Sequence, residues 1–198
     1  MPLPGQASHF KMEPEMRKVL RENGQMSVAQ AKKAAVMALF YPKSDGCTHL
    51  LLILRKKYAG VHSHQIGFPG GKWEQEDQDL LQTAKRETFE EVGVPQKDIH
   101  VIKALTEVFI PPSNYRVSPF LGLYTKPKPF IREPREVEAL VEVRLEDLLD
   151  SVNQGHERLS TSYAKDITVP TYSLNNYTVW GATAMMLSEV RDLLLQVL

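Results

Sequence analysis

Glu87, Glu90 and Glu91 stand at i, i+3 and i+4. In a helix, at ~100° per residue, that spacing gathers three carboxylates into an arc of about 100°. Three exposed glutamates repel one another by a few tenths of a kcal/mol per pair, and more when partly buried. The surroundings add to the strain: between Lys72 and Glu91 the acids are Glu74, Glu76, Asp77, Asp79, Glu87, Glu90 and Glu91, against Lys72, Lys85 and Arg86. A hard divalent cation with oxygen ligands would relieve the repulsion, and Mg²⁺ commonly shares its sphere between carboxylates and substrate phosphates. Three glutamates alone would read as a solvated helix face. Two neighbours point to chemistry. Phe68-Pro69-Gly70-Gly71 precedes the acids and lets backbone approach a ligand without Cβ interference. Arg86, next to Glu87, is placed to hold that carboxylate.

These side chains need a helix to carry them. Asp79 is an N-cap with Gln82 three residues on, and Gly93 followed by Pro95 supplies the stop. Leu81, Ala84, Thr88 and Val92 fall on one side and face a sheet. The apolar run Ala34–Tyr41, ended by Pro42-Lys-Ser-Asp-Gly46, predicts a buried strand and a turn, with Thr48–Arg55 as hairpin partner. Further strands are expected at His100–Phe109, Val117–Thr125 and Glu136–Arg144. Ile110–Arg116 reads as a loop and the proline-rich, basic Lys126–Arg135 as an exposed connection. Leu145–Val152 reads as helical, and Trp180–Leu198 as an amphipathic helix. Residues 1–30 form an expected loosely attached helical arm, with a helix over Glu13–Asn23 and a second start at the capping box Ser27-Val-Ala-Gln30. The sum is an α/β domain with a mixed sheet.

Composition sets the outer bounds. A chain of 198 residues, 42% hydrophobic and 24% charged, builds one domain, or one domain plus a short appendage, and is not wholly disordered. Lys+Arg and Asp+Glu both total 24, so the basic excess of a protein that clamps long nucleic acid is missing. The single cysteine, Cys47, makes neither an internal disulfide nor a Cys-rich zinc site, which suits a reducing cytoplasm. No apolar stretch approaches the ~20 residues of a membrane span, and no signal peptide is read at the N-terminus.

Gly71, Arg86-Glu87, Glu90-Glu91, Gly93 and Val94 match the Nudix signature, Gly-x5-Glu-x7-Arg-Glu-U-x-Glu-Glu-x-Gly-U with U aliphatic. The interval from Gly71 to Arg86 is one residue longer, Asp77 stands where the first Glu is expected, and Thr88 replaces an aliphatic residue. The longer loop resembles the branch of coenzyme A pyrophosphatases, as do Leu51-Leu52-Ile53-Leu54-Arg55, Phe68-Pro69-Gly70-Gly71 and the tail Val179-Trp180-Gly181-Ala182-Thr183-Ala184. Lys56, Gly60 and His64 depart from that branch, where Ser, Arg and Gly are expected. The resemblance covers residues 34–190 and implies a Nudix-type α/β/α sandwich with a mixed β-sheet, here residues 31–198 after the arm.

The resemblance also implies hydrolysis of a diphosphate with Mg²⁺ or Mn²⁺. On that basis Glu90 and Glu91 are metal ligands, the Gly70 or Gly71 carbonyl adds an oxygen, Glu87 is a further ligand or the base, and Arg86 orients it. Glu136 or Glu138 is expected to complete the metal site from elsewhere in the fold. Arg55, Lys56 and Lys57 form a cationic cluster for substrate phosphate, and Tyr115, in a loop with Ser113 and Asn114, is placed to stack on a base. His62 and His64 flank the approach to the Gly-Gly turn without zinc-site spacing. Glu87 and Glu91 are both expected to be solvent-accessible. Coenzyme A or its thioesters, ADP-ribose or another nucleoside diphosphate derivative, and a silent nucleotide-binding regulator are the three readings. Nudix proteins are often dimers, so a homodimer is also expected.

Overall fold

The apolar run near the start of the chain becomes the central strand because both its faces are covered. A computed structural model describes residues 2–26, 28–57, 60, 62–160 and 166–198. In it β1 spans Lys32–Pro42. Ala35, Met37, Leu39 and Tyr41 face one apolar core and Ala34, Ala38 and Phe40 another. A strand buried on both sides has no use for alternating polar residues, which is why the sequence runs unbroken.

Around β1 the sheet is mixed. β2 (Thr48–Arg55), β3 (Ile66–Gly67), β4 (Gly70–Lys72), β5 (His100–Ala104), β6 (Val108–Ile110), β7 (Tyr115–Leu123) and β8 (Val137–Arg144) complete eight strands. The path runs β3-β2-β1-β7-β5, with β4 on β1, β6 on β7 and β8 on β2. β1 lies parallel to β7 from Lys32↔Tyr115 to Phe40↔Leu123 and antiparallel to β2 and β4. Helix α3 (Leu80–Val92) covers one face through Ala84 and Val92. Two further helices, α4 (Leu145–Leu149) and α5 (Gly181–Leu195), take the other, with Leu148, Met185, Leu187 and Val190 in its core. This is the α/β/α sandwich. No helix among the described residues is long and apolar enough to cross a membrane.

Several boundaries differ from the sequence reading. The expected strand His100–Phe109 breaks into β5 and β6 because the backbone N–H and hydroxyl of Thr106 both donate to Glu189, at 3.0 and 2.6 Å, instead of to a strand. Leu145–Val152 is helical only to Leu149, after which Asp150 caps a short 3₁₀ turn at Ser151–Asn153. A second, three-stranded antiparallel sheet of β9 (Gln154–Leu159), β10 (Ile167–Leu174) and β11 (Tyr177–Trp180) was not expected at all. β9 is mostly exposed and polar, and β10 carries Pro170, so neither shows the pattern of a half-buried strand.

The N-terminal arm is not loose. It contains α1 (Gln6–Lys11), missed in the sequence, and α2 (Glu15–Glu22), close to the helix expected there. Glu189 of α5, wholly buried, accepts from the Gly5 backbone N–H at 3.2 Å and from His9 Nε2 at 3.1 Å, in addition to Thr106. Lys11 and Ser8 both reach Asp192 one turn on, the former at 2.6 Å. The second helix start falls partly on Ser27, outside the described residues, and Ala29–Gln30 form a turn.

Candidate active site

Helix α3 carries the acids as expected. Asp79 accepts from the Gln82 backbone N–H at 2.7 Å, and Gly93 at φ 74° ends the helix in the left-handed region. Thr88, in place of an aliphatic residue, is buried and spends its hydroxyl on the Ala84 carbonyl at 2.6 Å.

The glycine turn sets the acids' positions. Gly70 has φ 149° and sits so close to β1 that a Cβ would lie 2.4 Å from the Ala35 carbonyl oxygen. Its N–H donates to Glu91 at 2.8 Å. A Cβ on Gly71 would stand 2.5 Å from the Glu87 carboxylate. Both glycines are needed for the turn to lie flat against the two carboxylates.

Glu87, Glu91 and Glu136 each present a carboxylate oxygen within 4.8 Å of the others. Glu136 immediately precedes β8 and is held there by its carbonyl, which accepts from the Lys56 N–H at 2.7 Å. The other candidate, Glu138 on β8, instead meets His64 Nδ1 at 3.2 Å. Glu90 lies outside the group: its side chain is 51% exposed and bonds Arg86 at 2.9 Å. Glu91 corrects the expectation of solvent access, with a fully buried side chain, and Glu87 is only 12% exposed. Of the three helical glutamates, Glu91 alone is fully buried.

Burial in such company is costly. It pushes the Glu91 carboxyl up to about 8, opposed by Arg55 and the Gly70 N–H. The same desolvation raises Glu87, against the pull of Arg86. Arg55 Nη1 lies 3.5 Å from Glu91 Oε1, beyond hydrogen-bond range, and that buried oxygen has no hydrogen-bond partner. Three clustered carboxylates with one orphaned oxygen need positive charge. An all-oxygen donor set of this kind fits a hard divalent cation.

Arg86 is fixed from every side. It bonds Asp77 twice, the Lys72 carbonyl at 3.0 Å, Glu87 at 3.2 Å and Glu90 at 2.9 Å. Asp77, the acid standing in place of the expected glutamate, is buried and therefore serves the arginine.

Beside the acids a pocket of about 220 Å³ opens between β1, the β6–β7 hairpin and the start of α5. Ala34, Val36, Ile66, Phe68, Ile110, Val117 and Met186 make it mostly apolar, while Arg55, His62 and Gly70-Gly71 line its acid side. Tyr115 lines it, but from the first position of β7 and not from a loop, since the expected loop Ile110–Arg116 narrows to the turn between β6 and β7; Trp180 lines it too. Lys56 does not line it, and its side chain is exposed. His62 joins the pocket's rim to the turn at Pro111–Ser113 through a 2.9 Å bond between Nε2 and Ser113 Oγ, and burial lowers its pKa. Trp180 was missed as a site residue because the small sheet that delivers it was missed, and Met186 of α5 and Ile66 of β3 because nothing in their local sequence marks them as facing the pocket. The tail motif containing Trp180 was the available signal.

The NUDIX domain family model matches residues 31–163. The chain belongs to the Nudix family and is a Nudix hydrolase, an enzyme of pyrophosphate bonds. It is 34% identical over 150 residues to the uncharacterized Nudix hydrolase NudL of Yersinia pestis (strain Pestoides F), covering 71% of this chain and 70% of that one. The NudL of Yersinia pseudotuberculosis serotype O:1b gives the same figures, 34% over 150 residues. Among solved structures, the Nudix hydrolase RenU of M. smegmatis superposes with a TM-score of 0.58 at 16% identity, over 85% of this chain and 88% of that one. The MutT protein of Methanosarcina mazei Go1 reaches 0.54 at 14% identity, over 84% and 98%. Nudix hydrolases generally use divalent metal ions.

Proposed function

We propose that this enzyme hydrolyses the diphosphate bond of coenzyme A or an acyl-coenzyme A, with Mg²⁺ or Mn²⁺, to 3′,5′-ADP and (acyl-)4′-phosphopantetheine. The observation that carries this reading is a mostly apolar pocket directly beside three clustered carboxylates, with Arg55 at the join. An apolar cleft beside a phosphate-handling centre suits a substrate whose diphosphate carries a long, weakly polar arm.

Glu87, Glu91 and Glu136, with Glu90 and a Gly70 or Gly71 carbonyl as further candidates, would hold the metal. A bound Mg²⁺ or Mn²⁺ neutralises charge on phosphate oxygens and eases ionisation of water. Arg86 keeps the Glu87 carboxylate aimed along the glycine turn, where Glu87 acts as ligand or receives the proton of the attacking water. Arg55 offers its guanidinium to substrate phosphate, and Tyr115 and Trp180 offer ring faces. A homodimer and a cytoplasmic location remain part of the proposal.

A second reading keeps the chemistry and takes ADP-ribose, a dinucleotide or another nucleoside diphosphate derivative as substrate. Lys56, Gly60 and His64 favour it, because His64 is engaged by Glu138 and Lys56 is turned outward. A panel of coenzyme A, acetyl-coenzyme A, ADP-ribose and NADH with Mg²⁺ decides the matter. The first reading expects coenzyme A compounds to lead in kcat/KM by at least tenfold, and the reverse order overturns it. Tight binding of all four with no turnover would instead mark a silent regulator.

A further inference from the structure

A second cavity, of about 580 Å³, lies between the N-terminal arm and the reverse side of the β6–β7 hairpin. That volume falls inside the ~300–1,000 Å³ typical of small-molecule sites. It shares the hairpin with the pocket beside the acids but none of its lining residues: Ile110, Tyr115 and Val117 face one cavity, Phe109 and Arg116 the other.

Its wall is rich in arginine. Arg17, Arg21 and Arg116 line it, with Glu107 as the only carboxylate among the described lining residues. Each guanidinium already has a carboxylate beside it: Arg17 and Arg21 share the buried Glu13 at 3.2 and 3.0 Å, Arg21 also lies 3.7 Å from the exposed Glu22, and Arg116 lies 3.5 Å from Glu107. Arg17 is mostly buried, donates Nη1 to the Phe109 carbonyl, and has no hydrogen-bond partner for Nε. Burial lowers its pKa, against the pull of Glu13. Phe10 and Phe109 supply ring faces, and Arg21 already stacks 4.3 Å over Phe10.

We propose that this cavity binds a nucleoside monophosphate. Forked guanidiniums with spare donors match the geometry of a phosphate. Phenylalanine rings offer a stacking surface to any base, whatever its hydrogen-bonding edge. The site is independent of the reading proposed for the acids.

The test is calorimetric titration of the full-length protein, without metal, using AMP, adenosine and inorganic phosphate as probes. AMP is expected to bind at least tenfold more tightly than either fragment. Arg116→Ala, at a half-exposed residue whose loss spares the core, is expected to weaken AMP at least tenfold with an unchanged melting temperature. Arg17→Lys, which keeps a charge near Glu13, is expected to do likewise. Arg55→Ala, in the other pocket, leaves this binding unchanged. Loss of AMP binding with Arg55→Ala but not with Arg116→Ala overturns the proposal, as does the absence of binding up to millimolar AMP.

Discussion

Arg86 and Asp77 face each other as fork to fork, Nε to Oδ1 at 3.0 Å and Nη2 to Oδ2 at 2.9 Å. The aspartate is buried and takes two further bonds, from the Glu74 N–H at 3.1 Å and the Thr83 hydroxyl at 2.8 Å. The acidic loop and the helix that carries Glu87 and Glu91 are thereby one rigid unit, with the guanidinium as the joint.

Asp77→Asn breaks that joint. Removing a charge-assisted buried bond costs about 1–3 kcal/mol of stability, and an Arg86 left with only Lys72, Glu87 and Glu90 fixes Glu87 less firmly. Steady-state kinetics is expected to show kcat lowered by about tenfold or more, with KM little changed. The Arg86 bonds hold Asp77 down to about 2. A lowered acid contributes stability above its unfolded value, about 3.9, and loses it as pH falls toward 2. Acid melts of the variant should be flatter than wild type in that window, and equal slopes would refute the role.

Glu91 gives the opposite sign. Its carboxyl, raised to about 8 by burial, favours the protonated fold, so the contribution present below its unfolded value is lost as pH rises through 8. Chelator-treated protein should melt lower at pH 8.5 than at pH 6. Glu91→Gln should remove that difference, and Mg²⁺ or Mn²⁺ should raise the wild-type melting temperature most at the higher pH. A metal response as large in Glu91→Gln as in wild type would exclude Glu91 as a ligand.

Gly71→Ala places a methyl group 2.5 Å from the Glu87 carboxylate. The expected outcome is a fall in kcat of tenfold or more with a melting temperature within a few degrees of wild type, since the side chain displaced, though largely covered, is not part of either apolar core. Wild-type turnover from this variant would show that Glu87 works elsewhere than against the glycine turn.

Glu189→Ala leaves four donors from Gly5, His9 and Thr106 without their acceptor in a buried place. Burial pushes this carboxyl up, but the bonds outweigh it and leave it below its ordinary value. A loss of about 2–4 kcal/mol is expected in urea unfolding, together with faster proteolysis ahead of residue 26. Unchanged stability would mean that the arm is held by its apolar contacts alone.

How far could the chain be read without coordinates? Local chemistry was legible: Asp79 and Gly93 bound the helix because capping is decided within four residues, and the run from Ala34 to Tyr41 could only be a strand with both faces covered. What depended on distant partners was not. Glu87, Glu90 and Glu91 look equivalent on a helical wheel, yet only the sheet behind them makes Glu91 buried and Glu90 exposed. Thr106 ends a strand because of an acid 83 positions later. The exposed polar strand Gln154–Leu159 exists through pairing with Ile167–Leu174, and its own residues give no alternation to announce it.

The hold of Glu189 on the arm also bears on how this protein should be handled. Met185 and Met186 lie within one turn of Glu189, and they touch the two cavities, one each. Trimming the first eleven residues to obtain a tidier sample, or fusing a bulky handle next to Gly5, would disturb the helix turn that shapes both. Preparations that differ only in such cloning choices should therefore disagree in apparent ligand affinity, and the full chain is the proper reference.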